Sequence, residues 1–296
     1  MATRPLRRRV RSFALPSIIG LLVQSLSRCS WRRAQRFGPV IGRLAWRWSR
    51  RDRERTLAHL EMAFPELDPR YRLWLAKASF AHLGTNIAEI LHLLGRPVGE
   101  ACKHFDVEGV EIFAQLREAG RPALVLTGHC GNWEMIPSLR YSHDVTIRAL
   151  ARGHDDPSLR DIIERLRDHL GTVNLPRGSR RASREMLRAL RQGGVIGVLI
   201  DQDIATDGVW VPFFDHPAHT TTAPATLALK LGAAVVPVFD ERLLDGRHRV
   251  VVHPVMDLPD DPVAATAAMT EVVEAQIRRA PEQWVWLHRR WRRQQA

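Results

Sequence analysis

Residues 122–134 read PALVLTGHCGNWE, and the change of character inside this stretch indicates the class of fold. Pro122 to Thr127 form an uninterrupted apolar run with the length of a strand buried on both faces. Gly128 and Gly131 then flank a turn, and Asn132 is a good N-cap residue, so Trp133 is expected to open a helix. A buried strand that turns directly into a helix is the repeating unit of α/β sheets.

The alternation continues on both sides. Upstream, residues 56–64 read as a short helix ended by Pro65. Asp68-Pro69, a cap followed by proline at the first helical position, starts a long helix. Its apolar residues Leu73, Phe80, Leu83, Ile87, Ile90, Leu91 and Leu94 keep helical spacing until Gly95. Downstream, 145–150, VIGVLI at 195–200, AAVVPVF at 233–239 and HRVVVHPV at 248–255 read as strands. Helices are predicted over 159–170, 183–191, 226–231 and 264–279; in the first, Leu159, Ile162, Ile163, Leu166 and Leu170 share one side. There is no internal repeat and no Gly/Ser linker. The expected architecture is α/β, a single domain with a mixed, largely buried sheet flanked by helices.

Composition agrees with a globular body. Of 296 residues, 45% are hydrophobic and 26% charged, far from a disordered chain. The three cysteines, Cys29, Cys102 and Cys130, are odd in number and lack CxxC spacing, which argues against a disulfide framework and a structural zinc site. The formal charge is +12, and its distribution is uneven. Residues 1–55 hold 15 arginines against Asp52 and Glu54, a net of +13, so the rest of the chain sums to −1. The basic character belongs to one end.

That end reads RPLRRRVR at 4–11 and then FALPSIIGLLVQSL at 13–26. The apolar run is shorter than the ~20 residues of a full span, and no small-x-small cleavage site follows it. Trp31, Trp46 and Trp48 lie among arginines, as side chains at the lipid headgroup level do. Residues 1–50 are therefore read as a basic membrane-anchoring segment, a short tilted span or a helix lying in the interface, attracted to an anionic membrane. Residues 51–296 are read as the globular body, the domain expected to carry any catalysis. Arginine mixed with tryptophan also suits nucleic acid, but such an arm has no need of SIIGLLV, so no nucleic-acid partner is expected.

His129 and Glu134 are five residues apart. On one continuous helix they would point roughly 140° apart. With His129 in the loop and Glu134 in the first helical turn, the chain can fold back and bring imidazole to carboxylate, a pair suited to general-base work. Backbone N–H groups at the helix start could hold a developing oxyanion. Cys130 reads as a small packing residue, and no GxSxG elbow is present.

Several blocks taken together resemble the lipid A biosynthesis acyltransferases, within the HxxxxD/E glycerolipid acyltransferase-like superfamily. They are RERTLAHLEMAFPEL at 53–67, GHCGNWE at 128–134, Arg152 with DDPSL at 155–159, and Arg177-Gly178. VLIDQD at 198–203, GVWVPFFDHPAHTTTAPATLALKLGAAVVPVF at 208–239 and PEQWVWLHRRWRR at 281–293 complete the set. The resemblance implies an O-acyltransferase that moves a fatty acyl group from an acyl-carrier-protein or coenzyme A thioester to a lipid hydroxyl, most simply on a lipid A precursor. A phosphatidylinositol mannoside or lysophospholipid is the alternative acceptor. It implies His129 as catalytic base with Glu134 as partner, Gly128 and Asn132 in the same motif, and Arg152, Arg177 and Gly178 at a phosphate. Asp201, Gln202 and Asp203 would line the site, and Thr221 would either cap a helix or touch substrate. His288 is read as structural. No cofactor and no metal are implied; the partners are acyl carrier protein and the lipid acceptor, at the cytoplasmic face of the inner membrane. The chain departs from the family where Ile204-Ala205-Thr206 follows DQD in place of tyrosine and glycine.

Overall fold

A computed structural model describes residues 18–151, 157–176 and 180–293. Along the chain come α1 (18–27), α2 (Trp31–Trp48), α3 (Arg50–Ala63), α4 (Pro69–Leu94), β1 (Phe105–Glu108), α5 (Glu111–Glu118) and β2 (Ala123–Thr127). Then follow α6 (Leu139–His143), β3 (Ile147–Ala151), α7 (Pro157–His169), β4 (Val173–Pro176), α8 (Arg180–Arg191) and β5 (Val195–Leu199). The last part holds β6 (Val209–Phe213), β7 (His216–Thr220), α9 (Ala223–Leu231), β8 (Ala234–Arg242), β9 (His248–Val252) and α10 (Pro262–Arg279).

The apolar run around 122–127 is the middle of the molecule. β2 is buried along its whole length and pairs in parallel with β8 on one side and β5 on the other. The seven-stranded sheet runs β1-β9-β8-β2-β5-β3-β4. Its pairs are parallel except β8 with β9, an antiparallel hairpin, so the sheet is mixed. Because side chains alternate along a strand, Leu124 and Leu126 enter one core with Leu60, Met269, Val273 and Ile277, while Ala123 and Val125 enter the other with Phe113, Leu139, Leu166 and Leu170. Helices cover both faces, as the continuous apolar strands require. The result is one α/β domain.

The expected strands and helices are present, several with longer bounds. Four strands escape the sequence pattern. β1 and β4 are four-residue edge strands, and β6–β7 carries Pro212 paired with Pro217, which breaks the usual alternation. The β6–β7 hairpin turns on Phe214 and Asp215, both at positive φ (51° and 60°), the geometry a tight two-residue loop demands. The helix expected from Trp133 is a 3₁₀ turn, Trp133–Ser138, and the Asn132 side chain makes no cap to it.

At the basic end, residues 1–17 lie outside the described residues, and among the described residues no helix is long and apolar enough to cross a membrane. Helix α2 packs directly on α4. A Cβ at Gly42 would overlap the Phe80 carbonyl, and one at Gly84 would overlap the Gly38 carbonyl, so only glycine lets the two backbones meet. Trp31 and Trp46, expected at a headgroup level, turn inward. Trp31 stacks on His104 at 4.0 Å and donates to the Gly246 carbonyl (3.0 Å), and Trp46 meets Phe80 edge-on at 5.3 Å. Phe37, Val40, Leu44 and Trp48 remain exposed on the outer side of α2. We expect Gly42→Leu to lower the melting temperature followed by circular dichroism, at an overpacking cost of about 1–3 kcal/mol or more. Gly20→Ala, with nothing within 4 Å, serves as the control that leaves it in place; equal melting of the two variants would mean that α2 is not seated on α4.

Candidate active site

The register of β2 on β5 builds the site. Thr127 pairs with Leu199, so the residues two beyond each, His129 and Asp201, leave adjacent strand ends side by side. Asp201 is buried and its carboxylate is shared among three donors. His129 Nδ1 lies 2.7 Å from Oδ1, the His129 backbone N–H donates to Oδ2 (2.6 Å), and Trp284 Nε1 donates to Oδ2 (2.8 Å). Burial works to raise the pKa of this carboxyl, but the charge of His129, the hydrogen bonds of its ring and backbone N–H, and His288 outweigh it and hold it well below the ordinary carboxylate range. A carboxylate on Nδ1 fixes the tautomer with the proton there, which leaves Nε2 as the basic nitrogen. The Gln202 amide nitrogen lies 3.0 Å from that nitrogen, and the rings of Trp133 (centroids 4.8 Å apart) and His288 (4.6 Å) flank the imidazole.

Beneath the loop lies a buried charged cluster. Glu89 of α4 accepts from Arg242 Nε (2.8 Å), His248 Nε2 (3.1 Å), Gln35 Nε2 (2.7 Å) and Asn132 Nδ2 (2.8 Å). Asp240 of β8 accepts from His248 Nδ1 (2.9 Å) and from the Asn132 backbone N–H (2.6 Å). The Gly131 carbonyl accepts from Asn86 Nδ2 (2.7 Å), and His82 Nε2 lies 3.1 Å from it. Both sides of the Gly131–Asn132 peptide are thus pinned. Gly131 is at φ +59°, and a Cβ there would overlap the Asp240 backbone. Burial works against a charge on His248, but Asp240 and Glu89 overcome it and raise its pKa to about 9. Burial likewise opposes ionisation of Glu89, and Arg242 with His248 reverses this and holds its pKa well below normal.

The pairing expected between His129 and Glu134 is not the contact that forms. Among the described residues no hydrogen bond joins them: the Glu134 carboxylate takes Arg167 Nη2 at 3.1 Å and Nε at 3.3 Å. The reason is local, since the first-turn position aims Glu134 at α7 while Nδ1 already faces Asp201 across the strands. Asn132 turns away from His129 into the buried cluster. Gly128 passes close to Asp201, where a Cβ would lie 3.2 Å from Oδ2. The Asp203 side chain is covered and binds residues near 293, accepting from the Arg293 backbone N–H (3.1 Å) and pairing with Arg293 Nε (3.3 Å). Thr221 Oγ1 accepts from the Ala223 N–H at 3.4 Å, just ahead of α9, whose N-cap residue is Thr222. Arg152, Arg177 and Gly178 lie outside the described residues. Among the described residues no group of three or more His, Cys, Asp or Glu could hold a metal ion.

Against this geometry, a family model described as bacterial lipid A biosynthesis acyltransferase matches residues 9–293. The chain belongs to this family. It is 29% identical to the lipid A biosynthesis lauroyltransferase of Escherichia coli K12 over 265 residues, covering 87% of this chain and 84% of the relative. The palmitoleoyltransferase of the same organism is 27% identical, over 86% and 83%. The phosphatidylinositol mannoside acyltransferase of Mycolicibacterium smegmatis is 28% identical, over 73% and 72%. The protein is an O-acyltransferase.

Several groups around His129 and the buried cluster are not singled out by the sequence reading. His82, Asn86 and Glu89 are spaced i, i+4, i+7 on α4, so a buried polar stripe is legible once that face is known to be covered. Asp240 and His248 sit on strands read only as apolar, and Arg242 at the end of one. His288, read as structural, stands beside His129.

The histidines set a stability optimum. His248, at about 9 in the fold against 6.5 for a free histidine, binds a proton more tightly when folded, so its contribution is full below about pH 6.5 and is lost as pH rises through 9. His104 and His288 are pushed the other way by burial and neighbouring histidines, to about 4 and about 3, so theirs is present above 6.5 and lost as pH falls through those values. The melting temperature of this acyltransferase should peak near neutrality and fall from pH 7 to 9, the limiting slope for one group being roughly 1.4 kcal/mol per pH unit. A melting temperature constant over pH 7–9 would mean that His248 carries no extra proton in the fold.

Proposed function

We propose that the protein moves a fatty acyl group from an acyl-carrier-protein or coenzyme A thioester to a hydroxyl of a lipid A precursor. The observation that carries this reading is the hold on His129, whose Nδ1 is committed to Asp201 at 2.7 Å while Nε2 is left to the Gln202 amide nitrogen at 3.0 Å. The acceptor hydroxyl gives its proton to Nε2 as its oxygen attacks the thioester carbonyl. The C–S bond then breaks, and the sulfur takes the proton back from the imidazolium. Asp201 is proposed to steady the positive ring during this interval, and the backbone N–H groups of Trp133 and Glu134 are proposed to receive the developing oxyanion. No acyl-enzyme is needed. Cys130, next to the base, is a poor nucleophile because burial, Asp201 and Asp240 push its thiol pKa well above normal.

The lipid A acceptor is supported by the names of the lauroyl and palmitoleoyl relatives, which align over 87% and 86% of the chain. The phosphatidylinositol mannoside relative keeps a mannosylated lipid as the second reading. Arg152 and Arg177 with Gly178 are proposed to bind phosphate on the acceptor or on the donor's phosphopantetheine arm. Glu134 is proposed to act one step removed, by fixing the Arg167 guanidinium. Work at the cytoplasmic face of the inner membrane is supported by the arginine-rich end and by the apolar stripe of α2 beside Arg43 and Arg47. Acyl carrier protein, being acidic, suits the same charge.

His129→Ala should lower transfer by about 10²–10⁴-fold. Asp201→Asn should come close to it, mainly through kcat, and the double variant should be little worse than His129→Ala alone. Glu134→Gln should cost less than Asp201→Asn, because its partner is Arg167. The assay follows thiol release and lipid product together, with folding checked by circular dichroism. Near-normal transfer by folded His129→Ala would sink the reading, and an acyl group trapped on the protein would overturn direct attack.

A further inference from the structure

Gln202 stands where the reacting hydroxyl has to stand. Its amide nitrogen is 3.0 Å from His129 Nε2, and 2.9 and 3.0 Å from the two ring nitrogens of His288. Because His129 Nδ1 holds the proton shared with Asp201, Nε2 presents a lone pair, and the Gln202 N–H donates into it. The rings of His129 and His288 are 4.6 Å apart and nearly perpendicular, at 89°, so a single amide fills the gap between them. The Gln202 backbone stays beside His129, since it follows Asp201, whose carboxylate is fixed by three hydrogen bonds, so moving the amide aside takes only rotation of the Gln202 side chain.

A base this well oriented is a hazard while a thioester is bound and no acceptor is present. Water could give a proton to Nε2 as its oxygen bonds to the carbonyl carbon. The C–S bond would break, the sulfur would take the proton from the imidazolium, and the acyl chain would leave as free fatty acid. Nothing else is consumed, so only exclusion of water prevents the loss.

We propose that Gln202 reserves the His129 base for the lipid acceptor: its amide, parked between His129 and His288, keeps water off Nε2 until a bound acceptor displaces it. This rests on the acyl-transfer reading above. His288 is the second acceptor that makes the parked position favourable. It can accept because it is neutral, burial and the neighbouring His129 having pushed its pKa down to about 3.

The test uses the full chain and dodecanoyl-CoA in detergent micelles, with free thiol and free dodecanoic acid measured. Without acceptor, Gln202→Met, which keeps the length but not the N–H, should hydrolyse the thioester faster than the unaltered protein by roughly an order of magnitude, a small part of what a general base can supply. With a lipid A precursor added, a larger share of acyl chains should end as free acid. His288→Phe should show the same change, more weakly, and Gln202→Met combined with His129→Ala should return hydrolysis to background. Folding of each variant is checked by its melting curve. Hydrolysis by folded Gln202→Met at or below the unaltered rate, in a preparation whose unaltered protein transfers acyl groups, overturns the inference alone. An unaltered protein that neither hydrolyses dodecanoyl-CoA nor transfers from it or from a dodecanoyl carrier-protein thioester overturns the acyl-transfer reading as well.

Discussion

Everything at the site depends on the parallel register of β2 against β5. Thr127 opposite Leu199 puts His129 opposite Asp201, each two residues beyond its strand, where neighbouring chains are still about 4.8 Å apart. A slip of one residue would turn one of the two side chains to the other face of the sheet. The register is in turn enforced by burial, since Leu124 and Leu126 must face one core while Ala123 and Val125 face the other. The hydrophobic effect thus aligns His129 with Asp201, and no strong bond between the two is needed to bring them together.

The second constraint is the hold on the loop itself. Loops that carry chemistry are usually the mobile part of a scaffold. Here the Gly131–Asn132 peptide is fixed through its carbonyl and its N–H, and the Asn132 side chain is tied to Glu89. Two cations, Arg242 and His248, face two carboxylates, Glu89 and Asp240, in the same buried space. Such a cluster is a costly way to gain stability, because each charge must be desolvated. What it supplies is geometry. Gln35 extends the cluster to α2, so the basic end of the chain reaches the Gly131–Asn132 loop through two side chains, Gln35 and Glu89.

Much of this architecture is legible from residue order. The runs at 122–127, 195–200 and 233–239 are apolar and of strand length, and α4 announces itself through the Asp68 cap and its periodic apolar residues. The GHCGNWE loop stands out because a buried apolar strand runs straight into a glycine-flanked turn that carries a histidine and, five residues on, a glutamate. The hairpin β6–β7 does not stand out, since Pro212 and Pro217 hide its alternation. The buried cluster escapes for a different reason: its charges come from α4, β8 and β9, and nothing local marks a glutamate in a helix as buried.

The sequence by itself determined the α/β class, the place of His129 at a strand end and the concentration of charge in residues 1–55. Those are properties of neighbours along the chain, carried by hydrophobic period, turn chemistry and composition. The tertiary structure decided which carboxylate serves His129. Glu134 is five residues away and Asp201 is seventy-two, yet Asp201 meets Nδ1 while Glu134 is drawn to Arg167. Separation along the chain says little about side-chain distance once strands lie side by side. A parallel pair joins strand ends that are remote in sequence, and the choice of strand pair follows from packing both faces of the sheet, which no local stretch of residues encodes.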